Sequence, residues 1–103
     1  MEQIERIKRM EERLDRASEA VMALSAALDK YMEAQEAIAE LGRYYGSYEW
    51  RRDFAADEAG LLPTDLKRGV LSEDGVWNVL ADCRDLNVRL SEAAVEVMRH
   101  QTE

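Results

Sequence analysis

The chain has 103 residues, enough for one domain with a modest core and too few for two. It carries 22 acidic against 14 basic side chains, a formal charge of −8, and 47% of its residues are apolar. That balance argues against a disordered chain, and equally against direct nucleic-acid binding, which needs a face where bases accumulate. The acidic excess is spread evenly, with three net negatives over 1–46, three over 47–75 and two over 76–103, as expected of charges that keep a surface soluble.

From the N-terminus, residues 3–45 carry one heptad pattern. Ile7, Leu14, Val21 and Leu28 form one row; Met10, Ala17, Leu24, Tyr31, Ile38 and Tyr45 form the second, three positions behind. Alternating steps of three and four keep both rows on a single stripe of an α-helix, as in a coiled-coil seam. Neither Gly nor Pro occurs before Gly42, so the spacing predicts a helix over 2–45, about 64 Å long. Such a helix cannot bury its stripe alone. Beside the early heptads stand Arg6, Glu11 and Arg13, which suit a narrow two-helix contact. Beside the later ones stand Ala20, Ala27, Ala34, Ala39, Met32 and Leu41, a broader apolar face that needs more than one neighbour.

Gly46 is placed to take a left-handed cap conformation, and Ser47 to cap a short helix over 48–58 with Glu49 in its first turn. Trp50 and Phe54, four apart, share a face of that helix, and Gly60 closes it. A connection over 59–71 follows, in which Pro63 is expected to open a single helical turn and Gly69 to end it. The last helix, over 73–100, has Ser72 as its N-cap, Glu73 and Asp74 against its dipole, and Leu71 positioned to staple onto Val76. Gly75 in its first turn reads as a mild weakness of about 1 kcal/mol against Ala. Val76, Val79, Cys83, Leu86, Leu90, Ala93 and Val97 make its seam. Six of the seven aromatics (Tyr44, Tyr45, Tyr48, Trp50, Phe54 and Trp77) fall within 44–77 and are expected to form a satellite core there. Helix three covers only about 29 residues of helix one, so about the first 14 residues, with Ile4, Ile7, Met10 and Leu14, are expected to lie bare.

The usual parts of a catalytic site are missing. His100, the single histidine, sits near the C-terminus, where a charge opposes the helix dipole. Cys83 is a lone thiol at an apolar position, with no internal disulfide partner and no histidine within reach by sequence. There is no clustered Cys and His for zinc and no Gly-rich phosphate loop. Asp53 and Asp57 stand at i, i+4 and, with Asp65, are the one conceivable cation set, but no calcium-loop spacing surrounds them. No cofactor and no metal are expected. The residues that exceed a structural reading are the mixed charges of the middle, above all Arg51, Arg52, Asp53, Asp57, Asp65, Lys67 and Arg68 beside Trp50. Either they tie the connection down as an ion-pair lattice or they present a recognition surface.

The same residues carry a family likeness. The run Tyr44, Tyr45, Gly46, Ser47, then Trp50 to Phe54, Asp57, Glu58, Gly60 to Pro63 and Asp65 to Asp74, resembles a small bacterial family known as domain of unknown function 4298. The opening Ile4 to Ile7 and Met10-Glu11 also look like that family's start, so the resemblance covers nearly the whole chain. It implies a short, intracellular helical protein and supplies no activity, cofactor or catalytic residue.

The chain is therefore read as all-α: one domain over 1–103, a long antiparallel, coiled-coil-like helical hairpin with a short helix and irregular connection packed at one end. The expected function is a non-enzymatic helical protein–protein interaction module, self-associating as a homodimer in the cytoplasm, with no membrane and no direct nucleic-acid contact. Ile4, Ile7, Met10 and Leu14 are the candidate self-association residues. Trp50, Arg51, Arg52, Asp53, Asp57, Asp65, Lys67 and Arg68 are the candidate recognition surface. The alternative is an acidic inhibitor that imitates DNA and occupies a nucleic-acid groove on a host or defence protein.

Overall fold

In the computed structural model, which describes residues 2–102, the chain is all-α, with no strand among the described residues. The helices are α1 (Glu2–Glu33), α2 (Gln35–Tyr44), α3 (Tyr48–Glu58) and α4 (Gly75–Thr102), with a single 3₁₀ turn at Gly69–Leu71. The expected domain limits at residues 1 and 103 lie outside the described residues. By its internal packing the chain divides into two units, the first ending at Glu36 and the second beginning at Ala37.

The first unit is helical from Glu2, and its pattern of two apolar rows places every large seam residue on one stripe. The single helix expected over 2–45 requires correction, because Ala34 stands in a turn between α1 and α2. The cause is local competition for a carbonyl. The Ala34 N–H is shared between the Lys30 and Tyr31 carbonyls, at 3.1 and 3.2 Å, tightening the step towards 3₁₀ geometry. The Gln35 side-chain amide then donates to the same Tyr31 carbonyl at 3.0 Å, the acceptor that the Gln35 backbone N–H would use in an unbroken α-helix.

The second unit is built around the turn chemistry that joins α2, α3 and α4. Gly46 has φ +80°, in the left-handed region, and Ser47 caps α3 directly after it, its Oγ accepting the Trp50 N–H at 3.1 Å. At the other end of α3 the Leu61 N–H reaches the Ala56 carbonyl and the Gly60 N–H reaches the Asp57 carbonyl, both at 3.0 Å, with Gly60 at φ +72°. This pair of bonds is a Schellman closure, and it explains why a glycine stands there. Pro63 then opens a turn closed by the Leu66 N–H at 3.2 Å. Gly69 begins the 3₁₀ turn instead of ending a helical one, a second correction to the expected connection.

The start of α4 is tied back onto that turn. Ser72 Oγ donates to the Gly69 carbonyl at 2.8 Å and accepts the Gly75 N–H at 3.0 Å, so one hydroxyl satisfies both sides of the corner. The helix begins at Gly75 and runs to Thr102, against the expected 73–100, because Glu73 and Asp74 belong to the corner that Ser72 closes. Leu71 and Val76 flank the corner and are the buried apolar residues of the described chain, 6% and 3% exposed. Gly42 of α2 lies opposite Leu80 of α4, where a Cβ would meet Leu80 Cδ2 at 4.0 Å, ordinary van der Waals contact.

Gly75 is not the mild weakness its position suggests. A Cβ there would stand 2.6 Å from the Gly69 carbonyl oxygen and 2.6 Å from Ser72 Oγ, so a backbone atom would have to move. Gly75→Ala is therefore expected to lower stability by about 1–3 kcal/mol, although Gly-to-Ala in a helix ordinarily raises it. Gly69→Ala, with open space around it, should stay within about 0.5 kcal/mol of the parent. Denaturant unfolding of the two variants checks the contrast.

Candidate functional site

Trp50 occupies the centre of the second unit. Its ring stacks on Phe54, centroids 5.2 Å apart and planes at 21°, and meets Tyr45 edge-on at 5.3 Å and 68°. Its indole N–H donates to the Val70 carbonyl at 2.9 Å, fastening α3 to the 3₁₀ turn. The Tyr45 hydroxyl, at 3.4 Å from the Glu73 carbonyl, adds a longer tie from the end of α2 to the start of α4. The aromatic cluster is thus Tyr45, Trp50 and Phe54. Tyr48 and Trp77, expected in the same cluster, are exposed at 71% and 54%, and Tyr48 instead lies under the Arg52 guanidinium at 5.9 Å.

The mixed charges of the middle sort into two sets. Five of the eight candidate recognition residues are engaged within the unit: Trp50 and Arg52 as above, Asp57 with Arg68 at 2.8 Å, and Asp53 with the Tyr44 hydroxyl at 2.6 Å. The Asp57–Arg68 pair is partly exposed and contributes about 0.5–1 kcal/mol at most. Its value is positional, since it pins the connection to the last turn of α3. These are separate bonds, not a continuous lattice. Arg51, Asp65 and Lys67 are exposed and make no side-chain hydrogen bond or ion pair with another described residue. The carboxylates of Asp53 and Asp57 that a shared cation would need are thus turned to other partners, and no cluster of three potential metal ligands occurs among the described residues.

A shallow cleft of about 390 Å³ lies where the 3₁₀ turn meets α4, lined by Leu41, Lys67, Gly69, Val70, Gly75, Val76 and Val79. Of these only Lys67 belongs to the candidate recognition set. Gly69 lines the cleft with open space where a Cβ would stand, a signal of missing atoms that periodicity does not register. Cys83 is a half-buried thiol outside any disulfide, with the Asn87 amide 3.8 Å from its sulfur, and His100 is exposed in the last turn of α4.

The other candidate site lies on the first unit. Ile4, Ile7, Met10 and Leu14 are exposed, and so are Val21, Leu24 and Leu28 further along the seam, all between 44 and 68%. Exposure is not confined to the first 14 residues, because a unit made of one helix has nothing of its own to lay along its stripe. The described part of the chain has no helix long and apolar enough to cross a membrane.

The chain belongs to the family described as Domain of unknown function (DUF4298), whose model matches residues 7–92. No curated protein and no solved structure is significantly similar to it.

Tyr44 carries a shift in protonation. Partial burial, then the hydrogen bond to Asp53 and the charges of Asp53 and Glu49, push its hydroxyl up from 10.0 to about 12. The folded state therefore holds this proton more tightly than the unfolded chain. The linked stability is fully present below pH 10 and is lost as pH rises through about 12. An ultraviolet titration should show a late tyrosine step near pH 12, and Tyr44→Phe should remove that step. A late step that survives the substitution rejects the assignment.

Proposed function

We propose that the protein is a non-enzymatic helical protein–protein interaction module that self-associates through the stripe of α1. The observation that supports this is the run of seven exposed apolar residues, Ile4 beside the seam and Ile7, Met10, Leu14, Val21, Leu24 and Leu28 in it, on one face of a charged helix. An isolated helix gains little from propensity alone in water and takes its stability from burying an apolar face. Full burial of one such side chain is worth about 1.5–3 kcal/mol. Half-burial of these seven in two copies, fourteen side chains, would then supply about 10–20 kcal/mol against the roughly 4–15 kcal/mol that association costs, a difference that spans the roughly 8 kcal/mol of a micromolar complex. Association in the micromolar range is the expected result.

On this reading the second unit is the head that recognises a further protein. Arg51, Asp65 and Lys67 stand free at its surface, with Arg52 held over Tyr48, while Trp50, Asp53, Asp57 and Arg68 keep that surface in shape. The setting is the cytoplasm, where a lone thiol such as Cys83 stays reduced.

Sedimentation equilibrium tests the self-association. The full chain, 11.8 kDa, should show at least twice that mass at micromolar concentration, and Leu14→Asp with Leu24→Asp should return it to the single-chain value. A wild-type protein with the mass of one chain overturns the reading.

A further inference from the structure

We propose that two copies of α1 pair in parallel and in register, with Arg6 of each copy ion-paired to Glu11 of the other. This rests on the self-association reading and specifies its partner, a second copy of the chain, and its geometry.

The argument begins with the flanks of the seam. With Ile7, Leu14, Val21 and Leu28 as the a row and Met10, Ala17, Leu24 and Tyr31 as the d row, Arg6, Arg13, Ala20 and Ala27 take the g positions. Glu11, Ser18 and Ser25 take the e positions. In a parallel pair each g residue faces the e residue five positions later on the other helix. Arg6 then faces Glu11 twice, once from each side, and Arg13 faces Ser18, a neutral hydroxyl that accepts a hydrogen bond.

Antiparallel pairing sets g against g and e against e, and the same residues fit it worse. Full overlap leaves Arg6 beside Ala27, Arg13 beside Ala20 and Glu11 beside a serine, with no charge answered. Shorter overlaps put Arg6 against Arg13, or Arg13 and Glu11 each against its own counterpart, which repels. Within one chain, Arg6 and Glu11 have no ion pair or side-chain hydrogen bond to another described residue, so both charges stand available. In the seam, Ile7 and Val21 at a and Leu24 at d match the combination that favours two parallel strands, whereas Leu14 and Leu28 at a and Met10, Ala17 and Tyr31 at d add no such preference, so the flanking charges carry the orientation.

The test uses the full chain with Cys83→Ser as background. Met10→Cys places a thiol at a d position, where parallel in-register helices bring the two copies together. Mild oxidation should then give a disulfide-linked dimer in high yield. A mixture of chains carrying Met10→Cys and Val21→Cys, distinguishable by mass, reports the fully overlapped antiparallel arrangement and should give no 10-to-21 cross-link. Circular dichroism confirms that each variant is helical. A 10-to-21 product, or a two-chain mass with no 10-to-10 product, overturns the parallel register while leaving self-association intact. A single-chain mass before oxidation instead defeats the reading beneath it. Arg6→Glu should weaken dimerisation roughly ten-fold, and the exchange Arg6→Glu with Glu11→Arg should restore it to within roughly two-fold. An exchange no tighter than the single variant rejects the Arg6–Glu11 pair.

Discussion

The second unit depends on one bond, the Trp50 indole N–H to the Val70 carbonyl. A tryptophan is large enough to fill the space between a short helix and the turn that follows it, yet its one polar atom must be answered when it does so. Here the ring is held on two sides by Tyr45 and Phe54, and the answer comes from the backbone of the 3₁₀ turn. With that turn fixed, the rest of the corner follows. The Gly69 carbonyl is aimed at Ser72, Ser72 receives the Gly75 N–H, and α4 starts where the hydroxyl leaves it. Leu71 and Val76 are then enclosed without a large core around them.

The two units handle apolar surface differently. The second covers its few central side chains with a connection cinched by single polar contacts, each modest: an indole to a carbonyl, a phenol to a carboxylate, a guanidinium to a carboxylate. The first has length and pattern but no cover. Charges beside its seam change from Arg6, Glu11 and Arg13 to the alanines further along, so the charged flank is confined to its first two heptads. Under the proposed pairing, the early heptads set which way the helices run and the later ones supply close approach.

Much of this was legible in the sequence where a few neighbouring residues decide the outcome. The all-α class follows from heptad spacing, and the caps at Ser47, Gly46 and Gly60 follow from backbone conformations that few residue types can adopt. The interruption at Ala34 was not legible, because it depends on a glutamine side chain reaching a carbonyl one turn back, in competition with the backbone. Nor was the role of Gly75, which is set by the approach of Gly69, six residues earlier, around a corner. For the candidate site, composition showed that the middle charges would matter but not how they would pair. Ten ionisable groups within 51–74 allow many pairings, and only the path of the connection brings Asp57 to Arg68 and leaves Arg51, Asp65 and Lys67 outward. The aromatics divided for a similar reason: Trp50 reaches the Val70 carbonyl, whereas Trp77 and Tyr48 stay mostly exposed, Tyr48 with the Arg52 guanidinium over its ring.

The ties that close the second unit join positions 9, 11, 20 and 28 residues apart. Short separations lose little chain entropy on closure, and proteins dominated by them reach the native state in microseconds to milliseconds. This unit can thus assemble at a speed indifferent to how much protein is present, as soon as its own stretch of chain is complete. Encounter between copies is second order and slower at low abundance. Under the proposed pairing, a nascent chain would therefore finish its corner first and meet its counterpart afterwards.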